Sequence, residues 1–274
     1  MQVQDLGTMR YREAWAVQEK VHEDVRAGAE ETLILVEHPP VITLGRRGEF
    51  EGAKHLVASQ HYLDQLGVEL VQSDRGGDIT FHGPGQIVAY PIVRLIDHHL
   101  SVGAYVHTLE EIVIATLKEL GVEAQKDASG IGVWVKEKDE GLRRAQWSRE
   151  RMKGETQSVT RASPPVLGAP EDRSIPASSQ PSTGETPVSR DAVSPPPLAK
   201  ICALGVRVRR GVSLHGIALN VETDLRYFDL IVPCGLTGKR ATSLRKIMGD
   251  ATPSIEAVKR ALVQHFMRSF ASNV

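Results

Sequence analysis

Two residues of this 274-residue chain have the types and settings expected of a nucleophile and a proton carrier. Cys234 lies between Pro233 and Gly235, on a predicted turn that follows the apolar run Phe228–Val232. Turns expose side chains, and a cysteine beside a cation has a lowered pKa and reacts as a thiolate. Lys200 opens an apolar strand, where a lysine can supply that cation or carry a proton. The alternative for Lys200 is an ordinary solvent-facing lysine at a sheet edge.

The second cysteine, Cys202, follows Lys200 by two residues in the same predicted strand. The two-residue period of a strand predicts that Lys200, Cys202 and Leu204 share one face. A cysteine in a strand is typically a small core residue. Its setting therefore favours Cys234 as the nucleophile, although competition between the two cysteines stays open.

A glycine-rich run, RGGDITFHGPGQ, occupies Arg75–Gln86. Glycines let the backbone approach a ligand closely and leave N–H groups that point at it. The run is neither a dinucleotide-binding fingerprint nor a P-loop, because it lacks the spacing of the first and the Lys-Ser/Thr ending of the second. The alternative is a glycine-rich turn in which His82 is only a structural, hydrogen-bonded residue.

Three segments resemble the lipoyl(octanoyl) transferase family, in the same order: RGGDITFHGPGQIVAYP, KICALGVRVRRGVSLHGIALNV and FDLIVPCGLTGKRATSL. The resemblance covers Leu33–Leu244 apart from a long insert. Two departures stand out. Cys202 lies where a small residue such as alanine is expected, and the insert just ahead of Lys200 is unusually long.

The resemblance implies that an octanoyl group passes from acyl carrier protein to one lysine of a lipoyl domain, without a cofactor. The implied acceptors are the lipoyl domains of 2-oxoacid dehydrogenases and the glycine cleavage H protein. Cys234 corresponds to the cysteine that carries the acyl thioester, and Lys200 to the lysine that activates it. The implied acyl-binding residues are Arg75, Gly76, Gly77, Asp78, Ile79, Thr80, Phe81, His82, Ala203, Leu204, Gly205, Gly216, Ile217 and Ala218.

Three alternative functions remain open at the level of sequence. An ATP-dependent lipoate or biotin protein ligase on the same fold activates a free acid and needs no cysteine. An amidotransferase that moves octanoyl between lipoyl domains also uses a cysteine, so only its donor differs. The third alternative is a binding module without catalysis, which the pairing of Cys234 with Lys200 disfavours.

The elements that must position these residues alternate between helices and strands. The predicted helices are Tyr11–Ala27, His55–Leu66, Ser101–Leu120 and a last one after Thr252-Pro253. The predicted strands are Thr32–Glu37 with Val41–Leu44 as a hairpin-like pair, Val68–Gln72, Gln86–Val93, Gly130–Val135, and a hairpin of Lys200–Val208 with Val212–Val221. Hairpins outnumber βαβ units, which predicts an α+β fold with a mixed, largely antiparallel sheet and flanking helices. The resemblance adds a single domain like that of biotin and lipoate protein ligases.

The composition changes abruptly within 137–197. Its main part, Gly154–Pro197, holds nine of the 15 prolines and no aromatic residue. Such a stretch buries too little apolar surface to offset its ordering entropy. We therefore predict one catalytic domain formed by 1–136 and 198–274, interrupted by a disordered Pro/Ser-rich insert at 137–197.

Charge and hydropathy narrow the classes of partner. The 33 Lys and Arg nearly balance the 34 Asp and Glu, which disfavours a dedicated nucleic-acid binder. The apolar runs are too short to cross a bilayer, the first residues lack a secretory pattern, and two cysteines make no disulfide framework or metal cluster. These features predict a cytoplasmic protein that uses no membrane and no metal.

The implied partners, acyl carrier protein and lipoyl domains, are acidic in this family. Basic residues near the three segments are therefore expected to form a docking rim, with a solvated surface as the alternative. They are Arg46, Arg47, Arg207, Arg209, Arg210, Lys239, Arg240, Arg245 and Lys246.

Overall fold

The computed structural model describes residues 1–46, 54–128, 130–136, 198–232 and 240–271. Its strands are β1 (Gln2–Thr8), β2 (Thr32–Glu37), β3 (Val41–Leu44), β4 (Glu69–Gln72), β5 (Ile79–His82), β6 (Gln86–Ile92), β7 (Ala124–Asp127), β8 (Gly130–Lys136), β9 (Leu198–Arg209), β10 (Val212–Asn220) and β11 (Arg240–Ala241). Its α-helices are α1 (Tyr11–Arg26), α2 (Gln60–Gln65), α3 (Val102–Glu119), α4 (Leu244–Met248) and α5 (Ile255–Ser269). Short 3₁₀ turns occupy Leu95–His98, Leu225–Leu230 and Gly249–Ala251.

The main sheet has the strand order β1-β2-β6-β10-β9-β8-β7, with β11 beside β9. The pairs β1–β2 and β9–β11 are parallel and the other pairs are antiparallel. A second sheet has the order β4-β3-β5. The α+β class and the mixed, largely antiparallel sheet are therefore confirmed.

Helices cover both faces of the main sheet. The largest core joins α3 and α5 to one face, where Leu33 and Leu35 of β2 point. The alternate residues Ile34 and Val36 point to the other face, where α1 packs. This alternation follows from the two-residue period of a strand whose two faces are both buried. None of the helices in the described ranges has the length and apolar character needed to span a membrane.

The two best-marked elements of the sequence form as predicted. Ser101 caps α3, its Oγ accepting a hydrogen bond from Ala104 N at 3.1 Å. β9 and β10 form the predicted hairpin, and its turn residues Arg210 and Gly211 both have positive φ, 52° and 82°. Positive φ at both central residues matches the twist of the flanking strands.

Other predictions are wrong at specific points. β2 and β3 are not a hairpin pair, because they lie in different sheets. Pro39-Pro40 lies between them and separates the two sheets. The helix predicted from His55 begins only at Gln60, after the Ser59 cap. The pattern also missed β1, which is mostly exposed, and β5, which lies within the glycine-rich run.

The strands on either side of the predicted insert pair directly with each other, since Lys136 of β8 is opposite Leu198 of β9. The two segments that the sequence predicts to form one domain, 1–136 and 198–274, are therefore joined by this strand pair. The stretch itself, 137–197, lies outside the described residues, and its disorder stays a prediction.

Candidate active site

A cavity of about 380 Å³ lies against β9 and β10. It is lined by Lys200 and by the predicted acyl-binding residues Arg75, Gly76, Gly77, Asp78, Ile79, Thr80, His82, Ala203, Leu204, Gly205, Gly216, Ile217 and Ala218. Residues that are far apart in the sequence thus line the same cavity. Its walls also include the apolar side chains of Val88, Val102, Val106 and Trp134.

Phe81 is absent from this lining. It is 1% exposed and belongs to the core of the small sheet. Its ring stacks on Tyr227 with centroids 4.7 Å apart. Phe81 therefore supports β5 from behind, while its neighbours Thr80 and His82 face the cavity.

Lys200 is held at the cavity by two groups of β8. Its Nζ donates a hydrogen bond to the Ile131 carbonyl at 3.0 Å and lies 4.6 Å from the centroid of the Trp134 ring. A carbonyl oxygen and an aromatic face both stabilise an ammonium ion. The solvent-edge alternative for this lysine is therefore disfavoured by its contacts.

A bulge in β9 decides which way Lys200 points. Trp134 pairs with Lys200 and Val133 with Cys202, so that Ile201 is an extra residue in β9. An extra residue reverses the alternation of side chains along the strand. Lys200 consequently lies on the face of Trp134, whereas Cys202 lies with Val133 in the main core. The prediction that Lys200 and Cys202 share a face is wrong for this reason.

Cys202 has the environment of an inert thiol. It is fully buried, and burial raises its pKa to about 12. A thiol in that state carries almost no thiolate at neutral pH. Cys234, the predicted nucleophile, lies outside the described residues. The chain resumes at β11, whose Arg240 and Ala241 pair with Ala199 and Lys200.

The glycine-rich loop is organised by the buried guanidinium of Arg75. Its Nη2 donates to the Thr43 carbonyl at 2.6 Å and to the Asp78 carbonyl at 2.9 Å, and its Nη1 to the Gly76 carbonyl at 3.0 Å. These bonds tie both ends of the loop to β3. A planar group with five donors suits this task better than an ammonium ion would.

The same loop touches β9 through glycines on both sides. Gly76 N donates to the Val206 carbonyl at 3.0 Å. A Cβ atom on Gly205 would lie 2.8 Å from the Gly76 carbonyl oxygen, and one on Gly76 would lie 2.7 Å from the Val206 carbonyl oxygen. Only glycine permits this approach of backbone to backbone.

One end of the cavity is formed by buried rings that sequence reasoning did not single out, except for His82. Tyr11, Tyr90 and His215 line the cavity, and His38 lies behind them. His38 Nε2 and Tyr90 Oη are 2.8 Å apart, and His82 Nδ1 is 2.8 Å from Gln86 Oε1. The sequence signal that could have pointed to His215 is the SLHG run, in which this histidine directly precedes Gly216. In the structure His215 has a positive φ of 58°. A histidine with positive φ inside a strand is uncommon and often marks a functional position.

Burial keeps these histidines neutral. It lowers the pKa of His38 to about 4 and of His215 to about 3, and it also lowers the pKa of His82 well below its usual value. His215 Nε2 lies 2.6 Å from a carboxylate oxygen of Asp74, which fixes the orientation of the ring.

The predicted basic rim is partly neutralised by ion pairs. Arg207 pairs with Asp74, Arg209 with Glu19, and Arg245 with Glu222. Arg240 is exposed and lines the cavity. The side chains of Arg46 and Arg210 are also exposed, and those of Arg47 and Lys239 lie outside the described residues.

The fold is a mixed sheet flanked by helices, and residues of the glycine-rich run, β9 and β10 line one cavity. The chain belongs to the family of the lipoyl protein ligase A/B catalytic domain, which it matches over residues 10–267. Within that family it belongs with the octanoyltransferases. It is 36% identical over 266 residues to an octanoyltransferase of Nitratidesulfovibrio vulgaris (strain DP4), covering 97% of this chain and 93% of the relative. It is also 36% identical over 267 residues to one of Roseiflexus sp. (strain RS-1), covering 97% and 85%.

Solved structures show the same fold. A lipoate-protein ligase A bound with ATP superposes with a TM-score of 0.64 at 16% identity, over 98% of this chain and 85% of that one. A putative lipoate protein ligase from T. acidophilum with bound lipoic acid superposes with a TM-score of 0.60 at 16% identity, over 98% and 86%. The predicted resemblance of the fold to lipoate protein ligases is confirmed.

Proposed function

We propose that this protein transfers an octanoyl group from octanoyl-acyl carrier protein to a lysine of a lipoyl domain, through a thioester on Cys234. The observation that supports this most is the position of Lys200. Its ammonium lies at a cavity whose wall consists of the segments expected to bind the acyl chain. The names of the relatives support octanoyl as the group that is transferred. The acyl carrier protein as donor and the lipoyl domain as acceptor are inferred from the family resemblance.

In the first step, the Cys234 thiolate attacks the carbonyl carbon of the donor thioester. The bond from that carbon to the pantetheine sulfur breaks, and a new thioester forms on Cys234. The Lys200 ammonium donates a proton to the departing thiolate, so that the carrier leaves as a thiol and Lys200 becomes a neutral amine. Exchange of one thioester for another is nearly balanced in free energy, so this step requires no ATP.

In the second step, the neutral amine of the acceptor lysine attacks the same carbonyl carbon. The bond to Cys234 breaks, an amide forms, and the proton lost by the amine passes to Lys200. The cysteine is left as a thiolate beside an ammonium ion, as at the start. Formation of an amide from a thioester is downhill and completes the reaction.

Each attack places negative charge on the carbonyl oxygen, and a backbone N–H group is the expected stabiliser. Gly76 N is already bonded to Val206 within the structure. Gly77 also lines the cavity and has a φ of 88°, and its N–H donates to no partner among the described residues. We assign the oxyanion contact to Gly77 N–H.

The apolar wall of the cavity suits a medium-length acyl tail. Each buried methylene stabilises a complex by about 0.8 kcal/mol, so an eight-carbon tail contributes on the order of 5 kcal/mol. Small residues leave room for it on the sheet, since Ala203 and Ala218 are opposite each other on β9 and β10.

The test is the intact mass of the protein after incubation with octanoyl-acyl carrier protein. We expect one octanoyl adduct, removable by hydroxylamine, in the wild type and in Cys202→Ala. We expect none in Cys234→Ser, which also loses transfer to a lipoyl domain. Cys202→Ala is the matched control, because Cys202 is the fully buried cysteine.

Three results would overturn the proposal. An adduct that persists in Cys234→Ser and disappears in Cys202→Ala would assign the nucleophile to the other cysteine. Transfer that needs octanoate and ATP, and that survives in Cys234→Ser, would make the protein a ligase. Octanoyl-lipoyl domain as a better donor than the acyl carrier protein would indicate an amidotransferase.

A further inference from the structure

One peptide group lies between a buried carboxylate and the ammonium of Lys200. The N–H of Gly132 donates to Glu110 Oε1 at 3.0 Å. The carbonyl of Ile131, which belongs to the same planar peptide unit, accepts from Lys200 Nζ at 3.0 Å. Because a peptide is planar, the contact on its N–H side fixes the direction of its carbonyl.

Glu110 is an unusual residue for its place. It lies on the face of α3 that packs against the sheet and is 4% exposed, between apolar residues of the main core. Buried carboxylates are rare unless they are partnered. Its partners here are the Gly132 N–H and, at 3.0 Å from Oε2, Nδ1 of the largely exposed His107. The charge of Glu110 also acts to raise the pKa of Cys202, although burial is the larger cause.

The orientation of the peptide between Ile131 and Gly132 is restricted by its backbone conformation and by its packing. Gly132 has a φ of 143°, a conformation that favours glycine. A Cβ atom there would lie 3.0 Å from Lys200 Cε and 3.2 Å from Lys200 Nζ. The backbone at Gly132 therefore packs directly on the lysine side chain, and its orientation sets that of the lysine.

We propose that Glu110 is a positioning residue for the transfer reaction: by accepting from Gly132 N–H it turns the Ile131 carbonyl towards Lys200 and holds the ammonium at the cavity. This inference rests on the proposed function of Lys200. Glu110 acts through the peptide and not by contact with the substrate. The property of Glu110 that matters for the reaction is that its side chain is long enough to accept a hydrogen bond from Gly132 N–H.

The comparison of Glu110→Gln with Glu110→Asp tests this. Glutamine keeps the length and an acceptor oxygen but loses the charge, whereas aspartate keeps the charge but is one methylene too short to reach Gly132 N–H. We expect the single-turnover rate of Cys234 acylation to stay within about threefold of wild type in Glu110→Gln. We expect it to fall about 10- to 100-fold in Glu110→Asp, as misplaced catalytic groups commonly cause. KM for octanoyl-acyl carrier protein should change less than about twofold, since the substrate is not contacted.

A second readout separates positioning from a general loss of structure. Alkylation of Cys234 by iodoacetamide follows the thiolate, which a nearby ammonium favours. Its pH profile should move to higher pH by about one unit in Glu110→Asp, towards that of Lys200→Met, and stay in place in Glu110→Gln. Glu111→Asp is the matched control, because this neighbouring carboxylate is exposed and pairs with Lys126. We expect it to match wild type in both measurements.

The outcomes are distinguishable. An active Glu110→Asp, or a Glu110→Gln that loses tenfold or more, would overturn the inference, and the second result is decisive even if Glu110→Asp does not fold. If Lys200→Met leaves both acylation and alkylation unchanged, the role proposed for Lys200 fails first. In that case the inference about Glu110 fails with it.

Discussion

At the scale of single residues, the environment of a side chain determines its chemistry more than its type does. Cys202 and Lys200 are two positions apart, yet one is sealed in the core and the other faces the cavity. The difference comes from the single extra residue Ile201 in β9. Without this bulge, the ammonium and the buried thiol would have shared one face.

The small residues on the cavity face of β9 are expected to set the length of the acyl chain. Ala203→Val adds two methyl groups opposite Ala218, in a strand where valine is well tolerated. Two methylenes of the acyl tail can then no longer be buried, and each loses about 0.8 kcal/mol of binding free energy. We therefore expect kcat/KM for octanoyl, relative to hexanoyl, to fall about tenfold. The measurement compares the two acyl carrier protein thioesters.

Ala203→Gly at the same position is the control, because it removes volume and leaves room for octanoyl. Its preference for octanoyl over hexanoyl should match or exceed that of wild type. An unchanged preference in Ala203→Val would mean that the acyl tail does not lie against β9.

The sequence predicted the types of residue in the site well, but it did not predict the faces of the strands on which their side chains lie. Lys200 and the glycine-rich run could be found because their composition and spacing are unusual. The face of Lys200 could not be predicted, since a bulge leaves no mark in the pattern of apolar residues. Glu110 and Tyr11 were equally hidden, because each lies on a helix whose pattern reads as ordinary packing.

At the scale of elements, the site depends on two backbones that approach each other without side chains between them. The loop at Gly76 lies on β9 at Gly205, and Arg75 ties the loop to β3. The loop thus links the small sheet to the main sheet. Sequence patterns gave the glycines but not their partner, because the contact joins segments about 130 residues apart.

Gly205→Ala is expected to displace this loop. Its methyl group would meet the Gly76 carbonyl oxygen at 2.8 Å, and this backbone atom yields only if the loop moves. We expect kcat to fall tenfold or more, with a loss of about 1–3 kcal/mol in the free energy of unfolding. Steady-state transfer and urea denaturation measure the two effects.

Gly103→Ala serves as the comparison, because nothing lies within 4 Å of its Cβ position in α3. Alanine there is expected to stabilise the helix by about 1 kcal/mol and leave transfer unchanged. A Gly205→Ala protein with wild-type kcat would show that the loop does not need its present contact with β9.

The elements that were predicted correctly are determined by residues within a few positions of each other. The elements that were predicted wrongly depend on contacts with segments far along the chain. Ser101 and the Arg210-Gly211 turn determine their own geometry within a few residues. Whether β3 pairs with β2 or joins another sheet depends on β4 and β5, which lie far along the chain. The local pattern of Val41–Leu44 was the same in either case.

At the scale of the whole molecule, a group of buried histidines joins separate parts of the fold. His38 follows β2 and bonds the Met9 carbonyl and Tyr90, and His215 of β10 bonds Asp74 beside the glycine-rich loop. His82 ends β5 and stacks on Tyr11 of α1. The main sheet, the small sheet and α1 therefore meet at rings that are neutral when folded.

This arrangement makes the stability of the fold depend on pH. The folded-state pKa values of His38 and His215, about 4 and about 3, lie below the usual value of 6.5. The unfolded chain therefore binds more protons than the native state once the pH drops below about 6.5. The stabilisation is complete above that pH and is lost as the pH falls towards 4. Between pH 7.5 and 5, each of the two histidines is expected to cost about 2 kcal/mol of unfolding free energy.

Urea denaturation of the wild type at pH 7.5 and pH 5 measures this loss. In His38→Gln, the free energy of unfolding should differ less between pH 7.5 and pH 5 than in the wild type, by about 2 kcal/mol, because one titrating group has been removed. This expectation holds whatever the stability of the variant at pH 7.5. His61→Gln is the control, since His61 is exposed on α2 and should leave the difference unchanged. An equal pH difference in wild type and His38→Gln would mean that His38 takes up its proton in the folded state as readily as in the unfolded one. The ring cluster would then be open to water, and the end of the cavity that it forms would not be the dry surface that an acyl chain needs.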